Sequence, residues 1–316
     1  MADADQPNDP NFESRFVNRL AAEFLKEQRR NRRWGVFFKF LVFAYLAAIL
    51  ILANPKWVKE ASFGEDNFTA LIDLQGIIAH GSDASADNVV AGLRAAFKDE
   101  KTAGIILRIN SPGGSPVQAG YINDEIYRLK AKYPETPLYA VVEDICASGG
   151  YYVAVAADKI FADKASIIGS IGVRMDGFGF VETMKKLGVE RRLLTAGENK
   201  AFLDPFSPLK EEEVGHVQQL LADIHEQFIN TVVKGRREII SEDQEIYSGL
   251  LWTGEQSLAL GLVDELGSSG YVAREIIGEE KIVDFTKKDL TFEGFAKRFG
   301  SQVLQTALSE LSMRLF

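Results

Sequence analysis

The order of apolar and polar residues predicts strands that alternate with helices from residue 68 onward. Buried strands are predicted at 68–79, 104–109 and 138–142, where apolar and β-branched residues cluster. The intervening helices have apolar residues three or four positions apart: Val89, Leu93 and Phe97, then Ile122, Ile126 and Leu129. Ser115 before Pro116 is typical of a helix start, since serine caps free N–H groups and proline fits the first turn. This order predicts an α/β fold with right-handed crossovers.

Further helices are predicted in the second half of the chain. A short helix of small residues is predicted at 151–157, directly after a glycine-rich turn. An amphipathic pattern over 210–236 predicts a long helix, which we expect to pack across the sheet. Residues 252–264 predict a turn, a short helix and an exit that ends at Gly261. A last helix is predicted near Gly270, before a polar tail.

One segment is apolar enough to cross a membrane. Residues 35–53 are apolar apart from Lys39, and about 20 such residues span a bilayer core. Basic residues precede the segment: Lys26, Arg29, Arg30, Arg32 and Arg33. Because positive charge marks the cytoplasmic side, the pattern predicts an anchor with a cytoplasmic N-terminus. A cleaved signal peptide is the alternative, but the basic region is long and the end of the segment, 50–54, lacks a small residue three positions before a plausible cleavage point.

These features divide the chain into four predicted parts. They are a cytoplasmic N-terminal extension (1–33), a transmembrane anchor (34–56), an extracytoplasmic folded domain (57–290) and a C-terminal tail (291–316). The extension is acidic and then basic, and we interpret it as a determinant of membrane topology.

Composition argues against two classes of function. The 36 Lys and Arg against 45 Asp and Glu give a formal net charge of −9, which disfavours a nucleic-acid-binding surface. Cys146 is the single cysteine and cannot form an internal disulfide, so cysteine usage leaves the cellular compartment open. One cysteine and scattered histidines give no metal-ligand spacing, and no metal site is predicted.

Two glycine-rich turns, 110–114 and 147–150, follow predicted strands and expose backbone N–H groups. In acyl transfer, N–H donors aimed at the developing oxyanion contribute about 3–4 kcal/mol each. Gly113 or Gly114 is the candidate for one donor and Gly149 for the other, with the Ser148 hydroxyl between them. Ordinary turns and helix caps, which are more common, explain the same spacing.

Histidine, the usual base for a catalytic serine, has no evident place here. His216 and His225 lie nine residues apart on the predicted long helix, a spacing that suits neither a metal site nor a triad. His80 follows a strand, but no carboxylate has an evident role beside it. We interpret all three as surface or packing residues.

A lysine can act as the base if burial keeps its amine neutral. Lys200 lies in a loop, 195–206, that is rich in apolar residues and turn formers. Ser170, in the tight apolar turn 168–172, is a candidate to orient that amine through its hydroxyl. Taken alone, a lysine is nearly always a solvated surface charge, and a structural serine fits the turn equally well, so composition alone selects neither role.

At these residues the sequence resembles the signal peptide peptidase A (SppA) family of Ser-Lys peptidases, in its single-repeat bacterial form. The resemblance covers roughly residues 68–267 and rests on the order and spacing of several motifs: Asn110–Gly114, Ala147–Tyr151, Ile168–Gly172, Thr253-Gly254 and Gly261–Asp264. In single-repeat members the lysine follows the serine by about fifty residues. Here 200 − 148 = 52, which selects Lys200.

The resemblance implies a Clp/crotonase-like α/β core of stacked ββα units. It implies Ser148 as nucleophile, Lys200 as neutral base and Ser170 as the hydroxyl that holds the amine. The implied oxyanion hole is formed by Gly113 or Gly114 together with Gly149, and no cofactor is needed. The resemblance also implies a homo-oligomeric ring in which serine and lysine come from adjacent subunits.

The implied function is that of a serine endopeptidase at the bacterial inner membrane, with its catalytic domain on the extracytoplasmic side. Its implied substrates are cleaved signal peptides, bound extended by strand addition. Two alternatives stay open: the same dyad acting on membrane-associated partner proteins, and a catalytically silent ring that binds peptides.

Overall fold

The computed structural model describes Lys26 and residues 32–46, 66–236 and 239–287. Contacts divide the chain into two compact units, Met1–Asp66 and Asn67–Phe316. In the first unit, Lys26 and residues 32–46 are helical and exposed. None of the helices in the described ranges is long and apolar enough to cross a membrane. Part of the predicted anchor, 47–56, and the whole predicted tail lie outside the described residues.

The second unit is built on an eight-stranded sheet. Its strands are β1 (Phe68–Gln75), β2 (Thr102–Ser111), β3 (Leu138–Ala147), β4 (Lys159–Ala162), β5 (Ile167–Gly169), β6 (Leu251–Thr253), β7 (Glu265–Leu266) and β8 (Ile282–Asp284). The order is β6-β5-β3-β2-β1-β8, with β4 beside β3 and β7 beside β4. The pairs are parallel except β5 with β6. The α/β prediction is therefore confirmed, while the stacked ββα arrangement stays a prediction.

The helices of this unit alternate with the strands in its first half. They are α1 (Ala86–Lys98), α2 (Pro116–Lys132), α3 (Gly149–Ala154), α4 (Val181–Leu187), α5 (Glu211–Arg236), α6 (Gly254–Ala259) and α7 (Ser269–Tyr271), which continues as a π-helical turn, Val272–Ile277. A 3₁₀ turn spans Gln244–Tyr247. The Ser115 hydroxyl accepts the Gln118 N–H at 3.4 Å, so the predicted start of α2 is confirmed.

Strand β3 pairs with different strands along its two halves. Tyr139–Val142 runs beside β4, whereas Ile145–Ala147 runs beside β5. One apolar core cluster of the sheet contains Ile106 and Phe161, which are both fully buried. Because β2 and β3 are parallel, their carboxyl ends lie together, and the two glycine-rich turns that follow them meet at one edge of the sheet.

Three expectations about these elements were wrong in detail. Strand β1 ends at Gln75 rather than Ala79, and beyond it Ile78 forms only an isolated bridge with Gly114. Strand β3 continues five residues past Val142, to Ala147. Helix α5 packs on α3 rather than across the sheet: the Phe228 and Tyr152 rings lie 5.2 Å apart.

Candidate active site

Ser148 lies in a strained turn between β3 and α3. Its backbone has φ 51° and ψ −122°, in a region that residues with a side chain rarely occupy. Such a conformation costs about 1–3 kcal/mol and persists only where neighbours hold it. The Ser148 N–H donates to the Gly169 carbonyl at 2.8 Å, and its carbonyl accepts the Tyr152 N–H at 2.9 Å. The turn therefore holds the half-buried hydroxyl at the edge of the sheet.

The two glycines after β2 differ in what their N–H groups can reach. Gly113 is buried, and its N–H donates to the Ser111 hydroxyl at 3.1 Å. Gly114 is exposed, and a Cβ on it would lie 2.1 Å from the Ile78 carbonyl oxygen. Only glycine therefore fits at 114, and this exposed residue, unlike Gly113, has no hydrogen bond from its N–H to another described residue.

Gly149 places a second N–H beside that of Gly114. It is the first residue of α3, where N–H groups have no partner within the helix. A Cβ on Gly149 would lie 3.2 Å from the Gly114 nitrogen. A Cβ on Gly113 would lie 2.7 Å from the Gly149 nitrogen. Ser148, Gly149 and Gly114 thus form one compact group, which we call the cradle.

The turn that bears Ser170, the serine predicted to orient the lysine amine, lies against the cradle. The Gly169 carbonyl that accepts from Ser148 is adjacent to Ser170, whose φ is 52°. The Ser170 N–H donates to the Leu250 carbonyl at 2.6 Å. Gly169 cannot carry a side chain, since a Cβ there would lie 2.7 Å from the Trp252 ring. The two predicted active-site serines are therefore linked by backbone hydrogen bonding.

Lys200 lies in a different environment. Residues 173–209, which we call the arm, are mostly exposed and include α4. Large apolar side chains of the arm face solvent; Phe178 is 81% and Leu194 96% exposed. The Lys200 side chain is exposed and makes no ion pair or side-chain hydrogen bond with any described residue. Within one chain, no hydrogen bond therefore joins Lys200 to Ser148.

The arm nevertheless has an internal structure. Phe180 and Phe206 stack with centroids 5.4 Å apart, and the Arg191 guanidinium lies 5.3 Å from the Phe206 ring. Arg191 also pairs with Asp204, and this hydrogen bond holds the pKa of that carboxyl below its usual range. The Leu203 N–H donates to Glu213 of α5 at 3.2 Å. The loop of Lys200 is thus tied to the start of α5.

Backbone strain occurs in each of the three segments that carry Ser148, Ser170 and Lys200. Three non-glycine residues in the described ranges have positive φ: Ser148, Ser170 and Leu203, at 51°, 52° and 52°. Two of them are predicted active-site residues, and Leu203 follows Lys200 by three positions. Strain of this kind clusters at functional sites, so it singles out these segments independently of the spacing argument.

Several residues that support the cradle were not predicted. Tyr151 is fully buried one turn after Ser148, and its hydroxyl donates to the Leu262 carbonyl at 2.9 Å. Burial raises the pKa of Tyr151, which keeps the hydroxyl neutral as a donor. Arg236, also buried, donates to the Gly261 carbonyl at 3.0 Å and to Asp264 at 2.6 Å. No sequence spacing signals these contacts, which join residues 25 to 111 positions apart.

Cys146 does not compete with Ser148 as a nucleophile. It is fully buried at the end of β3, and burial raises the pKa of its thiol. A thiol reacts as the thiolate, so this residue is an apolar packing group. No group of acidic, histidine and cysteine side chains within the described ranges could hold a metal ion.

Comparison with known proteins places this site in a family. The sequence pattern of peptidase family S49 matches residues 130–282, which include Ser148, Ser170 and Lys200. A protein of Enterococcus faecium provisionally named signal peptide peptidase SppA is 30% identical over 237 residues, 71% of this chain and 68% of that protein. The chain belongs to peptidase family S49. A Synechocystis S49 relative, provisionally named a protease, is 34% identical over 200 residues, 63% of this chain and 69% of its own length.

Other relatives of this S49 chain are much longer. A Brucella melitensis protein named Na(+)/H(+) antiporter NhaA is 44% identical over 215 residues, 66% of this chain but 29% of that protein. A second protein of that name, from Brucella abortus, is 43% identical over the same 66% of this chain and 29% of its own length. The chain thus spans less than a third of these two relatives, and the activity in their name is not transferred to it.

Proposed function

We propose that this chain is a membrane-anchored serine endopeptidase in which Ser148 is the nucleophile and Lys200 the neutral base. The observation that supports this most is the cradle. A strained serine lies beside the backbone nitrogens of Gly114 and Gly149, where β2 and β3 end. Such a pair of donors stabilises the oxyanion of acyl transfer. We assign the second donor to Gly114 rather than Gly113, since the Gly113 N–H is bonded to Ser111.

The proposed reaction has two acyl-transfer steps. The Lys200 amine takes the Ser148 proton as Oγ bonds to the peptide carbonyl carbon, and the Gly114 and Gly149 N–H groups hold the resulting oxyanion. The C–N bond then breaks, and Lys200 gives its proton to the leaving amine. Water attacks the ester as Lys200 takes its proton, and that proton returns to Ser148 Oγ as the acid is released. The Ser170 hydroxyl orients the amine in both steps.

We further propose that Lys200 acts on the Ser148 of a neighbouring copy in a homo-oligomeric ring. A lysine base must be shielded from water to stay neutral, and in one chain Lys200 is exposed. The arm around it exposes apolar side chains of the kind that interfaces cover, including Met175 and Leu187 at 61% and 72%. A neighbour that covers this surface would both shield the amine and bring it to a cradle.

The proposed substrates are extended, apolar peptides such as cleaved signal peptides. The name of the Enterococcus faecium relative, signal peptide peptidase, supports this class. A membrane anchor at 34–56, with the peptidase domain outside the cytoplasm, would keep the site near peptides left in the bilayer. Membrane-associated partner proteins are the second substrate class consistent with the same dyad.

Purified Ser148→Ala and Lys200→Ala variants test the assignment. Each should lose at least about 10³-fold in cleavage of a fluorogenic apolar peptide, since nucleophile and base act as a unit. Lys185→Ala, an exposed arm lysine, is the matched control and should retain activity. A fluorophosphonate should label wild-type protein at Ser148, as mapped by peptide mass spectrometry. Comparable turnover in either dyad variant, or labelling elsewhere, would contradict the assignment, whereas wild-type protein that neither cleaves the peptide nor is labelled would favour a peptide-binding ring.

A further inference from the structure

The turn that bears Ser170 is held at three consecutive residues by three separate parts of the fold. The Gly169 carbonyl accepts from Ser148, and the Ser170 N–H donates to the Leu250 carbonyl. The third contact comes from α5, where His225 Nε2 lies 3.1 Å from the Ile171 carbonyl oxygen. A carbonyl oxygen can only accept, so Nε2 carries the proton that makes this bond. The strained Ser170 backbone is thus flanked on both sides by carbonyls that accept hydrogen bonds from outside the turn.

His225 belongs to a helix that also contacts the nucleophile's helix. The Phe228 ring packs on Tyr152 of α3, and the Thr231 hydroxyl donates to the Tyr152 hydroxyl at 3.0 Å. A Cβ on Gly235 would lie 2.1 Å from the Val155 carbonyl oxygen, so α5 approaches the end of α3 closely. One rigid helix therefore fixes α3 through its last turns and the Ser170 turn through His225.

We propose that His225 is a positioning residue that sets the Ser170 hydroxyl for the Lys200 amine. The Nε2–H bond fixes the Ile171 carbonyl, in the peptide group between Ile171 and Gly172, and so holds the backbone one residue beyond Ser170. Without this bond, the strained turn loses one of the contacts that hold it, and the hydroxyl loses its fixed direction. The inference rests on the proposed function, because it assigns His225 an effect only through Ser170.

A double-mutant cycle tests this role directly. His225→Phe keeps a ring of similar size but removes the donor, whereas His225→Gln can keep an N–H near the Nε2 position. In wild-type background, H225F should lower kcat about 10- to 100-fold with little change in KM, since small misplacements of reacting groups cost about this much. In a Ser170→Ala background the same substitution should lower kcat less than about threefold, because the two residues act as one unit. H225Q should restore kcat to within about fivefold of wild type.

Thr231→Val is the control for loss of hydrogen bonding by α5 away from the Ser170 turn. It removes the bonds of the Thr231 hydroxyl to Tyr152 and to the Gln227 carbonyl, and should lower Tm by a few degrees while leaving kcat within about twofold of wild type. All variants are compared as assembled full-length protein in detergent, after circular dichroism and size-exclusion chromatography. If H225F reduces folding, His225→Leu and the rescue by H225Q supply the same comparison.

The outcomes separate this inference from the proposed function. Activity in S148A would overturn the proposed function itself. An inactive S148A together with an unimpaired H225F would overturn the role of His225 alone. An equal loss from H225F in both backgrounds, or no rescue by H225Q, would overturn it as well. The expected result is that H225F lowers kcat strongly only in protein that retains Ser170, and that H225Q restores it.

Discussion

The cradle and the arm are built in opposite ways, although the proposed mechanism needs both. In the cradle, Gly149 is buried and Ser148 is held by hydrogen bonds to β5 and α3. In the arm, Lys200 is exposed and Leu194 is 96% exposed. Burial makes the cradle complete within one chain, whereas the arm leaves apolar surface for another molecule to cover.

The difference is the one that the proposed division of the site between copies of the chain requires. Preorganised N–H donors need a rigid, well-packed frame, which one chain supplies at the edge of its sheet. A neutral lysine needs shielding from water, which the arm of one chain does not supply. An assembly that completes the site would also leave a dissociated chain inactive, and so confine cleavage to the ring.

Co-assembly of two inactive variants should produce the largest change in peptide-cleavage activity. If Ser148 and Lys200 meet across a subunit boundary, co-assembled S148A and K200A form sites with both residues intact. Random mixing in a ring with one type of contact should restore about a quarter of wild-type activity, from a background near zero. The measurement is peptide cleavage after the two variants are co-expressed and purified through different tags.

Leu194→Glu placed in both variants supplies the control. A charge on this fully exposed arm residue should cost a single chain little stability but should oppose coverage by a neighbour. Recovered activity should then fall with the fraction of protein in the ring. Co-purified variants that assemble yet stay inactive would show that the dyad forms within one chain.

Gly149→Ala should have the next largest effect, through the cradle alone. The new methyl group would lie 3.2 Å from the Gly114 nitrogen and crowd the position where an oxyanion binds. We expect kcat to fall about 10²-fold, comparable to the loss of one oxyanion donor, with only a small change in Tm. Gly177→Ala in the arm is the control, since a Cβ there would meet no atom within 4 Å. Equal activity of the two variants would argue against an oxyanion site at Gly114 and Gly149.

How far the sequence predicts this fold depends on the length of each element. The start of α2 at Pro116 and the long helix α5 were predicted to within one residue, because caps and helical periodicity extend over many positions. Strands β4 to β8 were not predicted, and residues 252–253 of β6 were expected to form a turn. These strands have two to four residues each, too few to display a period. Their place is set by pairing with other strands of the sheet, which is not encoded locally.

In the candidate site, the sequence likewise identified some residues but not the contacts between them. Spacing pointed to Ser148 and to the glycines near it, but only the three-dimensional contacts distinguish Gly114 from Gly113. Lys200 was selected through the family resemblance, and its role stays a prediction. His225 was interpreted as a surface or packing residue, yet its ring bonds to Ile171, 54 positions away. Contacts over such distances have no signature in a single sequence.

Glu125→Gln should have the smallest effect, a change in thermal stability. It tests an ion pair that joins two helices of the folded unit away from the arm. Glu125 of α2 is 9% exposed and accepts from Arg128 of the same helix and from Arg94 of α1. The Arg128 hydrogen bond, with Arg94, lowers the pKa of Glu125 from its usual 4.5 to about 2. Since the folded pKa is lower than the unfolded one, the ionised carboxylate stabilises the fold above about pH 4.5, and this stabilisation is lost as pH falls toward 2.

At pH 7, E125Q should therefore melt about 2–4 °C below wild type, a modest shift because both arginines are more than half exposed and screened by solvent. The difference should shrink below about pH 4.5, as the wild-type carboxylate is protonated in the unfolded chain. Melting curves at pH 7, 5 and 4 measure it, with Asp124→Asn, an exposed neighbour, as control. Ring size and kcat should not change, since Glu125 touches neither the cradle nor the arm. A deficit that is constant with pH, or a change in assembly, would show that this ion pair does more than join two helices of one chain.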